Sequence, residues 1–144
     1  MMAGRRKGRI LAFQALYAWD ASKLSLADLL DFGWVEEDKR EKLGEDGIAF
    51  PRLIIAGAIE HIAEIDAIIK ANITNWDFDR LNKVDLAILR MSVYSLLFQP
   101  DMHPSIVIDE AIDISKEFGS DESYKFVNAV LDSIRKQLKG SPVQ

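Results

Sequence analysis

Residues 82–98 read NKVDLAILRMSVYSLLF, and this stretch decides the fold. When the residues are placed on a helix at about 100° per residue, apolar side chains point in nearly every direction. Only a narrow polar strip remains, and it contains Asp85 and Ser92. A helix that is apolar around its whole circumference is normally covered by other helices. The stretch therefore predicts the central helix of a helical bundle.

Helical periodicity is present on both sides of this central helix. Residues 10–19 lack strand alternation and spread apolar groups almost all round a helix, so this segment should also be largely buried. After Pro104, two further amphipathic helices are expected, the first of them capped by Ser105. No stretch has the pattern of a convincing strand. The predicted fold class is all-α, a compact bundle of about six or seven helices.

A charged segment stands before the second long helical pattern. Residues 36–46, EEDKREKLGED, are mostly charged and are predicted to form a solvated connector or surface turn. Pro51 suits the first turn of the helix that follows, because proline is tolerated where the backbone N–H has no helical partner. Apolar residues then recur at spacings of three and four from Ile55 onward, which predicts a long amphipathic helix that ends near Asn72.

Length and composition limit the class of protein. The chain has 144 residues, 49% of them hydrophobic, which fits one domain, residues 1–144, with a core of its own. The lack of cysteine excludes disulfides and thiolate metal sites and fits a reducing compartment, so a cytoplasmic location is expected. The apolar stretches are shorter than the roughly 20 residues of a membrane span and are interrupted by polar side chains. The protein is not expected to cross a membrane.

Basic residues are concentrated at the start of a chain whose net charge is −5. Arg5, Arg6, Lys7 and Arg9 stand in a segment, residues 1–9, that contains no acid. The segment is either a solubilising end or an anchor for nucleic-acid phosphates. If all of these residues neutralised phosphates of single-stranded RNA, the salt dependence of log K would have a slope of about −2.8. Such an anchor cannot specify a sequence.

Recognition of unpaired bases needs aromatic rings and polar groups beside the charge. Phe13 and Tyr17 share a side with Arg6 if the first helix extends back through Gly8. Near the end of the chain, Phe126 lies at the flank of the apolar stripe of the last helix. At such a position the ring either stays half exposed and stacks on a base, or packs against a neighbouring helix.

The sequence offers no convincing catalytic or metal site. Asp109, Asp113 and Glu117 recur every four residues, which can bring carboxylates together, but the apolar residues of that helix lie on its other side. These acids are therefore interpreted as the solvated face. His61 and His103 lack the spacing of a zinc site or a catalytic triad, and no glycine-rich phosphate loop occurs. A non-enzyme without cofactor or metal is predicted.

Three stretches are highly specific when they are taken together in their order and spacing. They read RRKGRILAFQALYAWD from residue 5, VDLAILRMSVYSLLF from residue 84 and HPSIVIDEAIDISKEFGSDESYKFVNAVLD from residue 103. With these marks the chain resembles the family of the transcription antitermination factor NusB. The resemblance covers nearly the whole chain.

The resemblance implies an all-helical, RNA-binding adaptor. Members of that family bind the single-stranded boxA element of nascent ribosomal-operon RNA together with NusE, a small-subunit ribosomal protein. The complex joins RNA polymerase and lets transcription pass terminators. The matching positions imply a NusE-binding surface that includes Asp79 and Asp85. They also imply RNA contacts from Arg5, Arg6, Lys7, Arg9, Gln14, Tyr17, Lys125 and Phe126.

Two alternative functions remain open. The chain could be a purely protein-binding helical module, or the helical accessory domain of an RNA-modifying enzyme, because NusB-like domains occur fused to ribosomal RNA methyltransferases. The accessory-domain hypothesis needs a catalytic partner, and we expect no room for a methyl-donor site in a chain that ends at Gln144.

Overall fold

The computed structural model describes residues 2–73, 75 and 77–139, so parts of the predicted domain 1–144 lie outside the described residues. Within them the chain forms seven α-helices and one short 3-10 helix, and no strand. The all-α fold predicted from the sequence is confirmed. The helices are α1 (Met2–Ala21), α2 (Leu26–Asp31), α3 (Glu37–Glu60), α4 (Ile62–Ala71), the 3-10 helix (Phe78–Arg80), α5 (Lys83–Phe98), α6 (Pro104–Phe118) and α7 (Ser123–Lys139).

Helix α5 lies at the centre of the bundle. It packs against α1, α3, α4, α6 and α7, and every residue from Asp85 to Ser95 is buried. Leu86, Ile88 and Leu89 are fully buried, and burial of such a side chain contributes on the order of 1.5–3 kcal/mol relative to exposure. The predicted central helix is confirmed.

One charged side chain enters this apolar centre. Arg90 is 6% exposed, and its Nε and Nη2 each donate to a carboxylate oxygen of Asp66 in α4 at 2.9 Å. Asp20, in the last turn of α1, lies 3.5 Å from Arg90 Nη1. The rings of Trp19 and Phe78 lie 5.6 and 5.9 Å from the guanidinium carbon. Because a buried charge is costly without partners, these contacts fix α1 and α4 against α5.

Helix α3 begins earlier than the sequence indicated. The segment 36–46 was predicted to be a connector, but α3 starts at Glu37 and includes it, with a break at Gly44, where φ is 67°. Pro51 therefore lies inside α3 and not in its first turn. Charged residues can form a surface helix when one side packs on the core, and here Leu43 provides that contact.

Two other helix boundaries differ from the predictions. The long amphipathic helix expected to end near Asn72 is divided at His61 into α3 and α4, although Asn72 does follow the end of α4. Apolar spacing continues across this junction, so the sequence pattern could not reveal it. Helix α6 is capped by His103 and not by Ser105, because His103 Nδ1 accepts a hydrogen bond from the Ser105 N–H at 3.1 Å.

A close contact between α3 and α5 gives a test of this packing. A Cβ added at Gly57 would clash with the buried ring of Tyr94. We expect Gly57→Ala to lower the free energy of unfolding by about 1–3 kcal/mol, although alanine is the better helix former. Chemical denaturation measures this change. Gly33→Ala is the control, because its Cβ would meet no atom within 4 Å. Unchanged stability of Gly57→Ala would contradict the contact.

Candidate nucleic-acid interface

The basic residues at the start of the chain lie on one continuous helix. Helix α1 begins at Met2 and extends through Gly8, which packs closely against α3. A Cβ at Gly8 would lie 2.8 Å from Phe50 Cδ2, so a residue without a side chain lets the two helices touch. Arg5 and Arg9, one helical turn apart, place their guanidinium carbons 5.7 and 5.5 Å from the centre of the same Phe50 ring. The contact holds this segment of α1 against α3.

These basic residues have different surroundings. Arg5 and Lys7 are exposed, and neither forms an ion pair among the described residues. Arg6 is partly exposed and pairs with two acids of α6. Its Nη1 lies 3.2 Å from Asp113 Oδ2, and its Nη2 lies 3.7 Å from Glu117 Oε2. Of the basic residues at positions 5, 6, 7 and 9, Arg5 and Lys7 are therefore the two whose positive charge is not compensated by a carboxylate of the described residues.

Arg9 is an interior residue. It is 2% exposed, its Nη1 lies 3.7 Å from Glu110 Oε1, and its Nη2 donates to Met102 Sδ at 3.6 Å. Burial lowers the pKa of Arg9, and the charge of Glu110 opposes that shift. An RNA phosphate would have to replace Glu110 inside the protein, so this position does not suit the phosphate contact expected of Arg9. Its pair with Glu110 instead connects α1 to α6.

Further along α1, two polar residues border a groove. Gln14 and Tyr17 line it together with Phe13, Val84 and Phe118. Tyr17 is 39% exposed, so its ring is accessible to a binding partner. Phe13 was the other ring expected on this side, but it is buried, with its ring centre 5.2 Å from that of Phe118. Phe13 is therefore a core residue.

The second group of implied RNA contacts lies near the start of α7. Lys125 is exposed, with its Nζ 3.8 Å from Glu122 Oε2 and 5.9 Å from the centre of the Tyr124 ring. Lys116 of α6 lies 5.0 Å from the centre of the same ring. Phe126 is partly buried and packs against the core. The Phe126 ring thus packs on a neighbouring part of the core and also stays partly exposed, so both expected arrangements hold in part.

The last turns of α6 connect the two groups of residues. They contact Arg6 through Asp113 and Glu117, and they contact Tyr124 through Lys116. The acids are half exposed, as expected of a solvated face, but their pairing with Arg6 was not foreseen. Arg6 and Asp113 are 107 positions apart in the sequence, so no local sequence pattern could reveal their contact. Neither Lys116 nor Tyr124 was singled out from the sequence.

The two implied protein-contact residues also differ from one another. Asp79 is exposed in the 3-10 helix, and its N–H donates to Asp77 Oδ1 at 3.1 Å. Asp85 is 7% exposed in the first turn of α5, and its Oδ1 has no hydrogen-bond partner among the described residues. Burial raises the pKa of Asp85, and a hydrogen bond with Ser123 opposes that shift. Direct contact with another protein therefore suits Asp79 better than Asp85.

The described residues provide neither a metal site nor a membrane span. They contain no group of three or more His, Cys, Asp or Glu side chains that could hold a metal ion. Within the described part of the chain, every helix is too short or too polar to cross a membrane.

The sequence matches the model of one protein family, the NusB family, over residues 6–136. The chain belongs to the NusB family. It is 58% identical over 135 residues to the transcription antitermination protein NusB of Treponema denticola, a match that covers 94% of this chain and 98% of the relative. The family resemblance read from the sequence is confirmed. Membership in a family of transcription antitermination proteins also confirms the prediction of a non-enzyme.

Solved structures of the NusB family share this fold. NusB of T. maritima is 35% identical, with a TM-score of 0.81 over 92% of this chain and 91% of that chain. A second similar chain comes from a crystal structure of the antitermination factors NusB and NusE in complex with dsRNA. It is 33% identical, with a TM-score of 0.83 over 95% of this chain and 99% of that chain.

The raised pKa of Asp85 predicts a pH dependence of stability. The folded protein keeps the Asp85 proton at pH values where the unfolded chain, with a pKa of about 3.9, has already lost it. The contribution of Asp85 to the free energy of unfolding therefore falls as pH rises from the unfolded pKa to the raised folded pKa. Asp85→Asn removes this loss.

Urea denaturation of the parent and of Asp85→Asn at pH values from 3 to 7 tests this. The stability of the asparagine variant relative to the parent should increase with pH. A difference between the two proteins that stays constant with pH would contradict the raised pKa.

Proposed function

We propose that this chain is an RNA-binding transcription antitermination factor that binds boxA-type single-stranded RNA of ribosomal operons together with NusE. In this role it joins the antitermination complex of RNA polymerase in the cytoplasm, and residues 1–144 act as one domain. The proposal rests on one observation. The fold matches, across nearly the full length of both chains, a protein crystallised in a complex of NusB, NusE and dsRNA, which supports an RNA-binding role together with NusE.

The charge distribution of α1 supports an RNA surface at this place. Arg5 and Lys7 stand exposed on the helix, next to Arg6, in a protein that is otherwise acidic. Further along the same helix, Tyr17 supplies an accessible ring and Gln14 a polar side chain beside a groove. Exposed cations followed by a ring and an amide are the groups that bind an unpaired strand through its phosphates and its bases.

The start of α7 supplies the other end of the proposed surface. Lys125 is exposed there, and the partly exposed ring of Phe126 follows it in the sequence. Base stacking on such a ring contributes about 1–3 kcal/mol per base. We place the RNA strand along α1, across the last turns of α6 and on to the start of α7. In this arrangement Arg9 positions α1 and does not contact RNA.

The electrostatic anchor on the isolated chain is small. If Arg5 and Lys7, which form no ion pair among the described residues, each neutralised one phosphate, the salt slope would be about −1.4, which is a weak attachment. A second protein that binds both this chain and the RNA raises the effective concentration of the strand at the surface. The weak electrostatic attachment of the isolated chain therefore favours a joint complex with NusE. The proposed contact with NusE is Asp79, because its side chain is exposed.

The matched relative argues against the role of an enzyme's accessory domain. The chain covers 98% of the length of the Treponema denticola protein, so that relative carries no additional catalytic domain. A purely protein-binding module would bind NusE without binding RNA.

Substitution of Lys7 tests the phosphate anchor. We expect Lys7→Ala to reduce the magnitude of the salt slope for a boxA-like single strand by about 0.7, because one phosphate contact is lost. The measurement is a fluorescence titration at several salt concentrations between 50 and 200 mM. Lys39→Ala removes an exposed lysine of α3 and should leave the slope unchanged. The same slope for both variants would exclude Lys7 from the site.

The same titration tests RNA selection. A scrambled strand and a duplex of the boxA-like sequence serve as competitors. Equal affinity for the scrambled strand would contradict boxA readout, and tighter binding of the duplex would contradict recognition of a single strand.

Substitution of Asp79 tests the NusE surface. We expect Asp79→Lys to weaken the complex with NusE on the order of tenfold, because it reverses an exposed charge at the proposed contact. Calorimetry with purified NusE measures the affinity, and RNA binding by the isolated chain should stay the same. Asp101→Lys reverses an exposed charge between α5 and α6 and is the control. Normal NusE binding by Asp79→Lys would contradict the contact. Tight NusE binding without RNA binding would support the protein-binding module.

A further inference from the structure

Two carboxylates stand inside the proposed RNA surface. Asp113 and Glu117 are one helical turn apart on α6, so both face α1. Each takes one end of the Arg6 guanidinium, Asp113 at Nη1 and Glu117 at Nη2. The side chains of the two acids are 51% and 53% exposed, so water and a bound strand can both reach them.

The acids change the local charge from positive to negative. Arg6 contributes one positive charge, and its two partners contribute two negative charges, which leaves a net charge of −1. Arg5 and Lys7, the neighbours of Arg6 in the sequence, have no such partners among the described residues. Of these three consecutive basic residues, Arg6 is thus the one whose charge is compensated by carboxylates.

This pairing has a direct consequence for RNA binding. The salt dependence of binding comes from counterions that a protein cation displaces from the phosphates of the strand. When Arg6 leaves Asp113 and Glu117 for a phosphate, these carboxylates attract cations from solution in turn, so Arg6 adds little to the salt-dependent affinity. The two carboxylates also repel any phosphate that comes within the screening distance, about 10 Å at 0.1 M salt. Both effects act on the backbone of the strand and are independent of its sequence.

We propose that Asp113 and Glu117 are affinity-determining residues of the RNA site that compete with RNA phosphates for Arg6. The pairs keep binding of RNA to the isolated chain weak, and a bound strand must replace them to reach the guanidinium. Exposed ion pairs are individually weak, so this replacement is feasible at a modest cost. The inference rests on the proposed function. This competitive role of the two acids differs from a positioning role, in which they would orient Arg6 towards a phosphate and strengthen RNA binding.

The double variant Asp113→Asn/Glu117→Gln tests the proposal with a scrambled single-stranded RNA as the probe. In this variant Arg6 is free to neutralise one phosphate, so the slope of log K against log salt concentration should become steeper by about 0.7. This corresponds to roughly eightfold tighter binding at 50 mM salt and roughly threefold at 200 mM. The control Asp31→Asn/Glu41→Gln removes the same charge from exposed acids of α2 and α3 that form no ion pair among the described residues. Its affinity should change much less.

Arg6→Ala, made in both backgrounds, isolates the competition. In the parent it should change the salt slope little, and in the double variant it should reduce the magnitude of the slope by about 0.7. Equal effects in both backgrounds would overturn the proposal. Weaker binding by the double variant would also overturn it and would indicate the positioning role. Melting curves confirm that each variant is folded.

A boxA-like strand, titrated in parallel, separates this inference from the proposed function. Loss of any preference for the boxA-like strand over the scrambled one would contradict the proposed function and leave the coupling measured with the scrambled strand intact. Absence of binding to the scrambled strand by both the parent and the double variant at 50 mM salt would overturn the competition.

Discussion

The pairing of Arg90 with Asp66 and Asp20 constrains the positions of the helices around α5. The guanidinium stays charged in the protein interior, so removal of either acid would leave a buried charge without full compensation. Asp20 belongs to the last turn of α1, and Arg9 pairs with Glu110 near the other end of that helix. Ion pairs of two buried arginines, Arg90 and Arg9, therefore connect α1 to its neighbours at two places along its length.

Much of the fold could be predicted because buried helix faces require apolar residues at regular spacings in the sequence. The apolar circumference of residues 82–98 was sufficient to identify the central helix. The boundaries of the helices were harder to predict from the sequence. The segment 36–46 is charged and helical at once, because its side chains project into water while its backbone hydrogen bonds stay internal. Apolar residues continue at helical spacing through His61, so no pattern in the sequence records the division between α3 and α4.

The sequence was sufficient to predict where the candidate site lies. It was not sufficient to predict which of its residues are exposed and which are buried or paired. Basic residues at the start of the chain indicated an anion-binding surface, and the family resemblance supplied the implied roles of Lys125 and Phe126. The sequence could not distinguish Lys7 from Arg9, because their chemistry is alike and only the fold places Glu110 beside Arg9. The same holds for Asp85, whose burial depends on the helices that cover the start of α5.

The contact between Gly8 and Phe50 has a consequence for how the interface tolerates change. Position 8 carries no charge, no ring and no hydrogen-bonding side chain, yet a Cβ there would lie 2.8 Å from Phe50 Cδ2, so either the Phe50 ring or the segment of α1 that carries Arg5, Arg6 and Lys7 would have to shift. A mutational survey guided by charge alone would pass over this position. The contact therefore limits position 8 to small residues, a constraint that comes from packing and not from charge.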